Sequence, residues 1–307
     1  MVRIGFDVGG TKIALGAVNE ENRIIARREV PFPTGKSYKE VAKAMADLVK
    51  EFPYQIDSIG ICIPGDIDYE KGIIIRAHNL QFYKVPFKDE IQDHFPNIPV
   101  YLENDANAAA LAELKLGAFR NCNTAILLTL GTGVGGGIIL DGKLFNGGMN
   151  HGVEIGHMCL ELKGPLCTCG NKGCIEALCS ASWIIREGRK AVIEYPLSKI
   201  YTKIKGNIDR VDAKLVIDCA REKDPVATDI FNRYLDNLSS AIASLTAIFD
   251  PEVIALGGGV SKAGDFLFEP LRQLVKEKSY FEHLYKIVPA EFGNDAGIIG
   301  SAMLGDL

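Results

Sequence analysis

The sequence predicts an α/β protein built from one α/β unit used twice, with a metal-binding insertion in the second copy. Three observations lead there. A strand–strand–strand–helix order opens the chain and recurs from residue 124 onward. The two openings echo each other, I-G-F-D-V-G-G-T-K-I-A-L-G beside L-L-T-L-G-T-G-V-G-G-G-I-I, each with a glycine turn between its first two strands. In the second copy, His157, Cys167, Cys169 and Cys174 form an H-x9-C-x-C-x4-C array that interrupts the repeated pattern. Internal duplication is the economical explanation of such an echo. Two similar α/β domains that face each other make a cleft, and ligands of α/β sheets bind at strand C-terminal ends.

The elements follow in order. Residues 2–8, V-R-I-G-F-D-V, read as a buried strand closed by Gly9-Gly10-Thr11-Lys12. Ile13, Leu15 and Ala17 then alternate at strand period, so a strand and not a helix comes next. Asn19–Asn22 is a turn and Arg23–Val30 a third strand. Ser37 and Glu40 make a capping box that opens a helix with Tyr38, Val41, Met45, Leu48, Val49 and Phe52 on its apolar face. Ser58–Ile63 is a strand ended by Pro64-Gly65, Lys88–His94 a short helix, and Val100–Glu103 a strand. Asn104-Asp105 begins an alanine-rich helix over Ala106–Leu116 that Gly117 stops. In the second copy Thr124–Leu130, Val134–Leu140 and Lys143–Phe145 read as strands, with turns at Gly131–Gly133 and Asp141-Gly142. After the metal stretch and a helical segment to about residue 210 come helices over Asp212–Arg221 and from Asp224-Pro225 to Phe249. Strand Glu252–Leu256, a Gly257-Gly258-Gly259 turn, helix Phe266–Lys278, strand Lys286–Pro289 and helix Ala296–Leu304 complete the chain.

Bulk properties exclude several classes. Of 307 residues, 47% are hydrophobic and 24% charged, an ordinary globular balance. A formal net charge of −5 argues against a nucleic-acid surface. No apolar run reaches membrane-spanning length, and the N-terminus enters structure without a signal peptide. Eight cysteines in a chain of this length do not make a disulfide framework. Cys62, Cys122, Cys159, Cys179 and Cys219, outside the array, read as buried free thiols, which points to a reducing compartment, the cytoplasm.

Three thiolates and an imidazole are the soft, tetrahedral set that structural zinc prefers, and a closed set leaves no position for a reactive water. Ordinary reduced thiols would leave the clustering among Gly170 and Gly173 unexplained. Glu154 and Glu176 flank the array, so the metal reads as a clip that rigidifies a binding site. The turns Gly9–Lys12 and Gly131–Gly137 let backbone N–H groups converge on an anion, with Thr11, Lys12 and Thr132 as further donors. Neither is a Walker A loop or a dinucleotide fingerprint, because a strand follows each. Together with Gly257–Gly259 they suggest nucleotide phosphates and adenosine, and Asp7 could hold Mg²⁺ through water. Asn104-Asp105 reads as a helix cap, as a carboxylate able to accept a hydroxyl proton in phosphoryl transfer, or as both.

These residues carry a resemblance. The chain resembles the sugar kinases of the ROK family (repressors, open reading frames, kinases) over essentially its whole length, most closely the bacterial glucokinases. The shared stretches are D-V-G-G-T-K, E-N-D-A-N-A at Glu103–Ala108, L-G-T-G-V-G-G-G at Leu130–Gly137, E-I-G-H at Glu154–His157 and C-T-C-G-N-K-G-C-I-E at Cys167–Glu176. G-G-G-V-S-K-A-G-D at Gly257–Asp265 and D-A-G-I-I-G-S-A near the C-terminus complete the set. The resemblance implies duplicated actin-like ATPase (ribonuclease H-like) domains, with the C-terminal helix returning to the first. The expected division is a small domain, 1–118 plus 293–307, and a large one, 119–292, that carries the zinc-binding insertion. It implies ATP with Mg²⁺ as phosphoryl donor, held by Asp7, Gly9, Gly10, Thr11, Lys12, Gly131, Thr132, Gly133 and Gly257–Gly259, and a structural Zn²⁺ on His157, Cys167, Cys169 and Cys174. Asp105 is then the catalytic base, and Gly65, Asn79, Asn104, Glu154, His157 and Glu176 contact the sugar, His157 serving zinc with one nitrogen and sugar with the other. The expected reaction is glucose to glucose 6-phosphate in a cytoplasmic homodimer or homotetramer that binds neither nucleic acid nor membrane. A kinase for mannose, fructose, allose or an N-acetylhexosamine is the alternative, and a non-catalytic sugar sensor the next. The chain departs from the family pattern at Val153, where glycine is common, and at His78–Phe82, which lacks the tryptophan common in glucokinases; the resemblance implies that both lie around the sugar.

Overall fold

The structure is a computed structural model and describes residues 1–149 and 151–307. The chain opens with strands β1 (Val2–Val8), β2 (Lys12–Val18) and β3 (Ile24–Pro31), then helix α1 (Tyr38–Lys50) and β4 (Ile56–Ile63). Short strands β5 (Asp66–Asp68), β6 (Ile73–Ala77) and β7 (Phe82–Val85) precede α2 (Phe87–His94), β8 (Val100–Asn104) and α3 (Asp105–Leu116). Next come β9 (Ala125–Leu130), β10 (Val134–Leu140) and β11 (Lys143–Leu144). Helices α4 (Ile175–Cys179), α5 (Ala181–Glu194), α6 (Lys199–Ile204), α7 (Ala213–Arg221) and α8 (Pro225–Phe249) follow. Strand β12 (Val253–Gly257), α9 (Gly258–Ser261), α10 (Asp265–Lys278), β13 (Lys286–Pro289) and α11 (Ala296–Ala302) end the chain. Among the described residues no helix is long and apolar enough to cross a membrane.

Two five-stranded sheets have the same strand order by position, β3-β2-β1-β4-β8 and β11-β10-β9-β12-β13. In the first, β2 runs antiparallel to both neighbours, while β1, β4 and β8 are parallel. In the second, β9, β12 and β13 are parallel and β10 pairs antiparallel with β11. The β10–β11 turn has Asp141 and Gly142 at φ of 52° and 70°, the double left-handed conformation a two-residue hairpin requires. Helix ends are set by local chemistry. Ser37 accepts from the Glu40 N–H while Glu40 accepts from the Ser37 N–H at 2.9 Å, closing the capping box of α1. Asp224 caps α8, with Pro225 at its first turn.

Contacts group the chain into two compact units, residues 1–121, 137–153 and 291–307 in one and 122–136 and 154–290 in the other. The core of the first unit packs Ile4, Phe6, Ile59 and Ile61 of the sheet against Val41, Met45 and Val49 of α1. On the other face α11 lies directly on the strands. Gly5 and Gly60 are register partners, and a Cβ on either would collide with the backbone of Ile298 or Ser301. Two glycines side by side thus let α11 settle onto the sheet, with Gly297 against the Asp7 side chain and Gly300 against the Ala108 backbone of α3.

Four expectations need correcting. The stretch between Pro64-Gly65 and Lys88, read without elements, holds the three-stranded sheet β5-β6-β7, whose strands of three to five residues are too short for a periodic signal. Gly257–Gly259 is no simple turn: Gly258, at φ of 85°, starts the single helical turn α9. The last helix stops at Ala302 and continues as a 3₁₀ turn over Leu304–Asp306. Cys62, Cys179 and Cys219 are buried free thiols, but Cys122 is only partly buried and Cys159 is exposed.

Candidate functional site

In the first unit the parallel strands end at a group of polar residues. Asn104 closes β8 in extended conformation, and its Oδ1 accepts from the N–H of Ala106 at 2.8 Å and of Asn107 at 3.3 Å. Asn104 is therefore the N-cap of α3, and Asp105 is its first helical residue. Of the pair Asn104-Asp105, the extended residue is the cap, while Asp105 Oδ1 also accepts the Ala106 N–H at 2.8 Å. The Asn104 amide also donates to the Gly65 carbonyl at 3.2 Å, joining the ends of β8 and β4. Gly65 sits at φ of 120°, where a Cβ would strike the Arg76 carbonyl. Asn79 is exposed on the 3₁₀ turn His78–Leu80, and Gly10 lies against its Cβ and carbonyl.

Two carboxylates of this unit are held above the ordinary aspartate range, and the charge of Asp105 is felt at Asp7. Burial, and then the charge of Asp105, push Asp7 up to about 6, against the opposing pull of Lys12 and Arg27. Desolvation also raises Asp105, while its own N–H and that of Ala106 draw it back. Excess negative charge of this kind suits a hard divalent cation, which would relieve the repulsion. The Gly9–Lys12 turn is closed by the Gly9 N–H donating to the Lys12 carbonyl at 2.9 Å. The Lys12 ammonium pairs at the surface with Glu29 at 2.9 Å, so its side chain is engaged outside the turn.

The second unit carries a group of four side chains that could hold a metal ion. Cys159 pairs with Cys174 and Leu166 with Lys172 as isolated antiparallel bridges, so the loop is a small folded-back ribbon. Gly170 and Gly173 have φ of 93° and 69°, and a Cβ on Gly173 would strike the Glu161 carbonyl. That fold brings one ligand atom each of His157, Cys167, Cys169 and Cys174 within 4.8 Å of one another. Tetrahedral zinc, with Zn–S near ~2.3 Å and Zn–N near ~2.0 Å, sets S···S at roughly 3.8 Å and S···N at roughly 3.6 Å. The Cys169 and Cys174 sulfurs are 3.7 Å apart, and the Cys167 sulfur is 3.6 Å from His157 Nδ1. The donor set fits. His157 Nε2 points elsewhere, 3.9 Å from the Glu154 carboxylate.

Glu176, on α4 just after the last cysteine, ties this loop to the β9–β10 turn. Its Oε1 accepts from the Thr168 hydroxyl at 2.6 Å and the Cys167 thiol at 3.6 Å, and its Oε2 from the Val134 N–H at 3.2 Å. A Cβ on Gly133 would collide with that carboxylate. The turn is held from the other side by α5, since the Ala181 N–H donates to the Gly131 carbonyl at 2.8 Å and the Ser182 hydroxyl to the Thr132 carbonyl at 2.6 Å. Gly258 abuts Leu130, so Gly257–Gly259 and Gly131–Gly133 are neighbours in space as well as similar in sequence. Thr168 and Ser182 escaped the sequence reading because a lone hydroxyl carries no spacing signal.

Comparison with known proteins is consistent along the whole chain. The family model described as "ROK family" matches residues 3–306. A glucokinase of Thermotoga maritima is 38% identical over 98% of this chain and 96% of its own length. An N-acetylmannosamine kinase of Vibrio cholerae is 32% identical over 98% of both chains. Among solved structures, a ROK family glucokinase from Streptomyces griseus, in complex with glucose and AMPPNP, superposes with a TM-score of 0.84 at 32% identity, covering 99% of each chain.

Proposed function

The chain belongs to the ROK family, and on that premise we propose that it is an ATP-dependent hexose kinase that converts glucose to glucose 6-phosphate. The observation that carries the reading is the placement of Asp105. It opens α3 at the C-terminal edge of the parallel strands; Asn104 is the cap, and Asp105 Oδ1 shares the Ala106 N–H with it, leaving Oδ2 for chemistry. The ionised carboxylate at a helix N-terminus accepts the proton of the sugar hydroxyl. An electron pair of the deprotonated hydroxyl oxygen forms the new bond to the γ-phosphorus of ATP, the bond from that phosphorus to the β–γ bridging oxygen breaks, and ADP leaves with its electrons. Little covalent chemistry is asked of the protein, so positioning and charge stabilisation dominate. Asn104, Gly65, Asn79, Glu154, His157 and Glu176 orient the sugar, and the backbone N–H groups of Gly9–Lys12, Gly131–Gly133 and Gly257–Gly259 take the nucleotide.

Asp7 would hold Mg²⁺ through water, and that ion would neutralise charge developing on the phosphates. His157, Cys167, Cys169 and Cys174 would hold a structural Zn²⁺ that fixes the stretch bearing Glu154, His157 and Glu176. The same reading divides the chain into domains 1–118 plus 293–307 and 119–292, repeats of an actin-like unit, and the equal strand orders of the two sheets support the duplication. A cytoplasmic homodimer or homotetramer completes it.

A kinase for another hexose is the second reading, favoured by the full-length likeness to an N-acetylmannosamine kinase and by Val153, a branched residue immediately before Glu154. A panel of hexoses with coupled ADP detection tests both. Glucose should give the highest kcat/KM, and Val153→Gly should shift hexose preference with the ATP KM nearly unchanged. A higher kcat/KM for an N-acetylhexosamine or fructose would overturn the glucose assignment, and no ADP with any hexose would overturn the kinase.

A further inference from the structure

Glu103 ends β8 one residue before Asn104 and is 3% exposed. Its hydrogen-bond partners are all neutral. Its Oε1 accepts from the Asn104 N–H at 2.8 Å and the Asn107 amide at 3.1 Å, and its Oε2 from the Asn146 amide at 3.4 Å. The Tyr69 hydroxyl is a further hydrogen-bond partner, and burial is what raises this carboxyl above the ordinary glutamate range. The partners also bind one another, with the Asn107 amide donating to Asn146 Oδ1 at 3.1 Å and to the Tyr69 hydroxyl at 3.4 Å. Asn107 is 1% exposed and is held this way although its own Oδ1 is left buried without a donor.

Stability alone gives a poor account of this cluster. A buried carboxylate held only by neutral groups carries a desolvation penalty, and a fully apolar core of the same shape avoids it. What the cluster does is join three stretches of the first unit. The β8–α3 junction carries Asn104 and Asp105. Tyr69 follows β5, the strand that starts beside Gly65, whose carbonyl Asn104 also binds. Asn146 anchors the segment running into Glu154: the Gly152 N–H donates to the Asn146 carbonyl at 2.9 Å, and His151 Nδ1 lies 3.1 Å from Asp66. Each stretch carries or delivers a residue assigned above to the sugar.

We propose that Glu103 is a positioning residue for sugar recognition, its carboxylate fixing Asn104–Asp105, the Gly65 turn and the segment leading into Glu154 in one arrangement. This rests on the hexose-kinase reading. A sugar is recognised by several hydroxyls at once, so a small slip between these stretches misaligns the set. Among the described residues no hydrogen bond joins Glu103, Asn107, Asn146 or Tyr69 to Gly9–Lys12, Gly131–Gly133 or Gly257–Gly259, so ATP affinity is the control that should hold steady.

Glu103→Gln tests this, since it keeps the size but turns one acceptor into a donor facing donors. The sugar KM and the calorimetric sugar Kd should rise ~10-fold or more, with the ATP KM within about twofold. Asn146→Ala should act in the same direction, and the double variant should raise the sugar Kd less than the product of the two single effects, as residues in one network do. Tyr69→Phe removes one donor and should give a smaller split of the same sign, which keeps the test open if Glu103→Gln fails to fold. An unchanged sugar Kd in Glu103→Gln, or sugar and ATP KM rising together as the melting temperature falls, would overturn the proposal. Wild-type protein inactive on every hexose would instead overturn the kinase reading, and the calorimetric comparison of wild type with Glu103→Gln still decides the role of Glu103 if hexose binds.

Discussion

Glu113 Oε1 accepts the backbone N–H of Glu291 at 2.8 Å, across 178 residues of chain. The same oxygen takes the Phe292 N–H at 3.3 Å, and Oε2 takes the Ala118 N–H at 2.9 Å. This fully buried carboxylate near the end of α3 thus fastens both the exit from the helix and the point where the chain returns to the first unit. Three backbone donors need acceptors, and glutamine offers only one acceptor oxygen. Glu113→Gln should therefore lower unfolding free energy by about 2 kcal/mol, the cost of leaving a buried donor unpaired. Chemical denaturation checks this, and an unchanged midpoint would show that the donors find other partners.

The metal set makes a second prediction. Purified protein should contain about one zinc per chain, bound through the four converging ligands. Cys169→Ser should lose the metal, lower the melting temperature and weaken sugar binding, because His157 is itself in the set and Glu176 is bonded to Thr168 inside the loop. Metal analysis that finds no zinc in fully active protein would end this idea. Retained sugar affinity in a metal-free variant would separate the clip from the site.

The clustering of His157, Cys167, Cys169 and Cys174 was legible in the sequence because they are close along the chain and the glycines among them mark the reversal. The same locality made β1, β2 and the α1 capping box readable. Contacts across long separations left no such trace. The Asn146–Glu103 hydrogen bond spans 43 residues, and nothing in the spacing of two polar residues announces it. Asn104 and Asp105 are adjacent and both favour helix starts, so propensity could not say which one caps; the extended backbone of Asn104 decides it. Strands β5–β7 fold as a hairpin pair on one another, and their brevity hides them from any period-based reading.

Asp7 should show a conflict between stability and activity. Its carboxyl is raised to about 6 by burial and by Asp105, so the folded chain keeps a proton that the unfolded chain gives up near 3.8. The stabilisation that this proton provides is present at acid pH and is lost as pH rises through about 6. At neutral pH the buried charge costs up to about 3 kcal/mol. Asp7→Asn should accordingly raise the melting temperature at pH 7 to 8 and flatten its pH dependence between pH ~4 and ~6, while kcat falls. A lower melting temperature at pH 7 would show that Lys12 and Arg27 already compensate the charge.

Asp105 separates chemistry from folding more sharply than the sequence suggested. Because Asn104 caps α3, neither Asp105→Asn nor Asp105→Ala should cost the helix its cap, and both should melt close to wild type. Removing a desolvated carboxyl favours the variants further, since burial raises this group. By contrast Asn104→Ala should lose about 1 kcal/mol through the missing cap. General-base assistance is typically worth ~10²–10⁴-fold. Asp105→Asn should thus lower kcat at least roughly a hundredfold, or about 2.7 kcal/mol of barrier, with sugar binding weakened much less because the amide retains one acceptor. The base must be ionised, and its raised pKa places the acid limb of the wild-type kcat profile above the ordinary aspartate range. Turnover, sugar Kd and melting temperature measured on the same three variants decide the matter. An asparagine variant with near wild-type turnover would remove Asp105 from the chemistry and turn attention to Glu154 and Glu176.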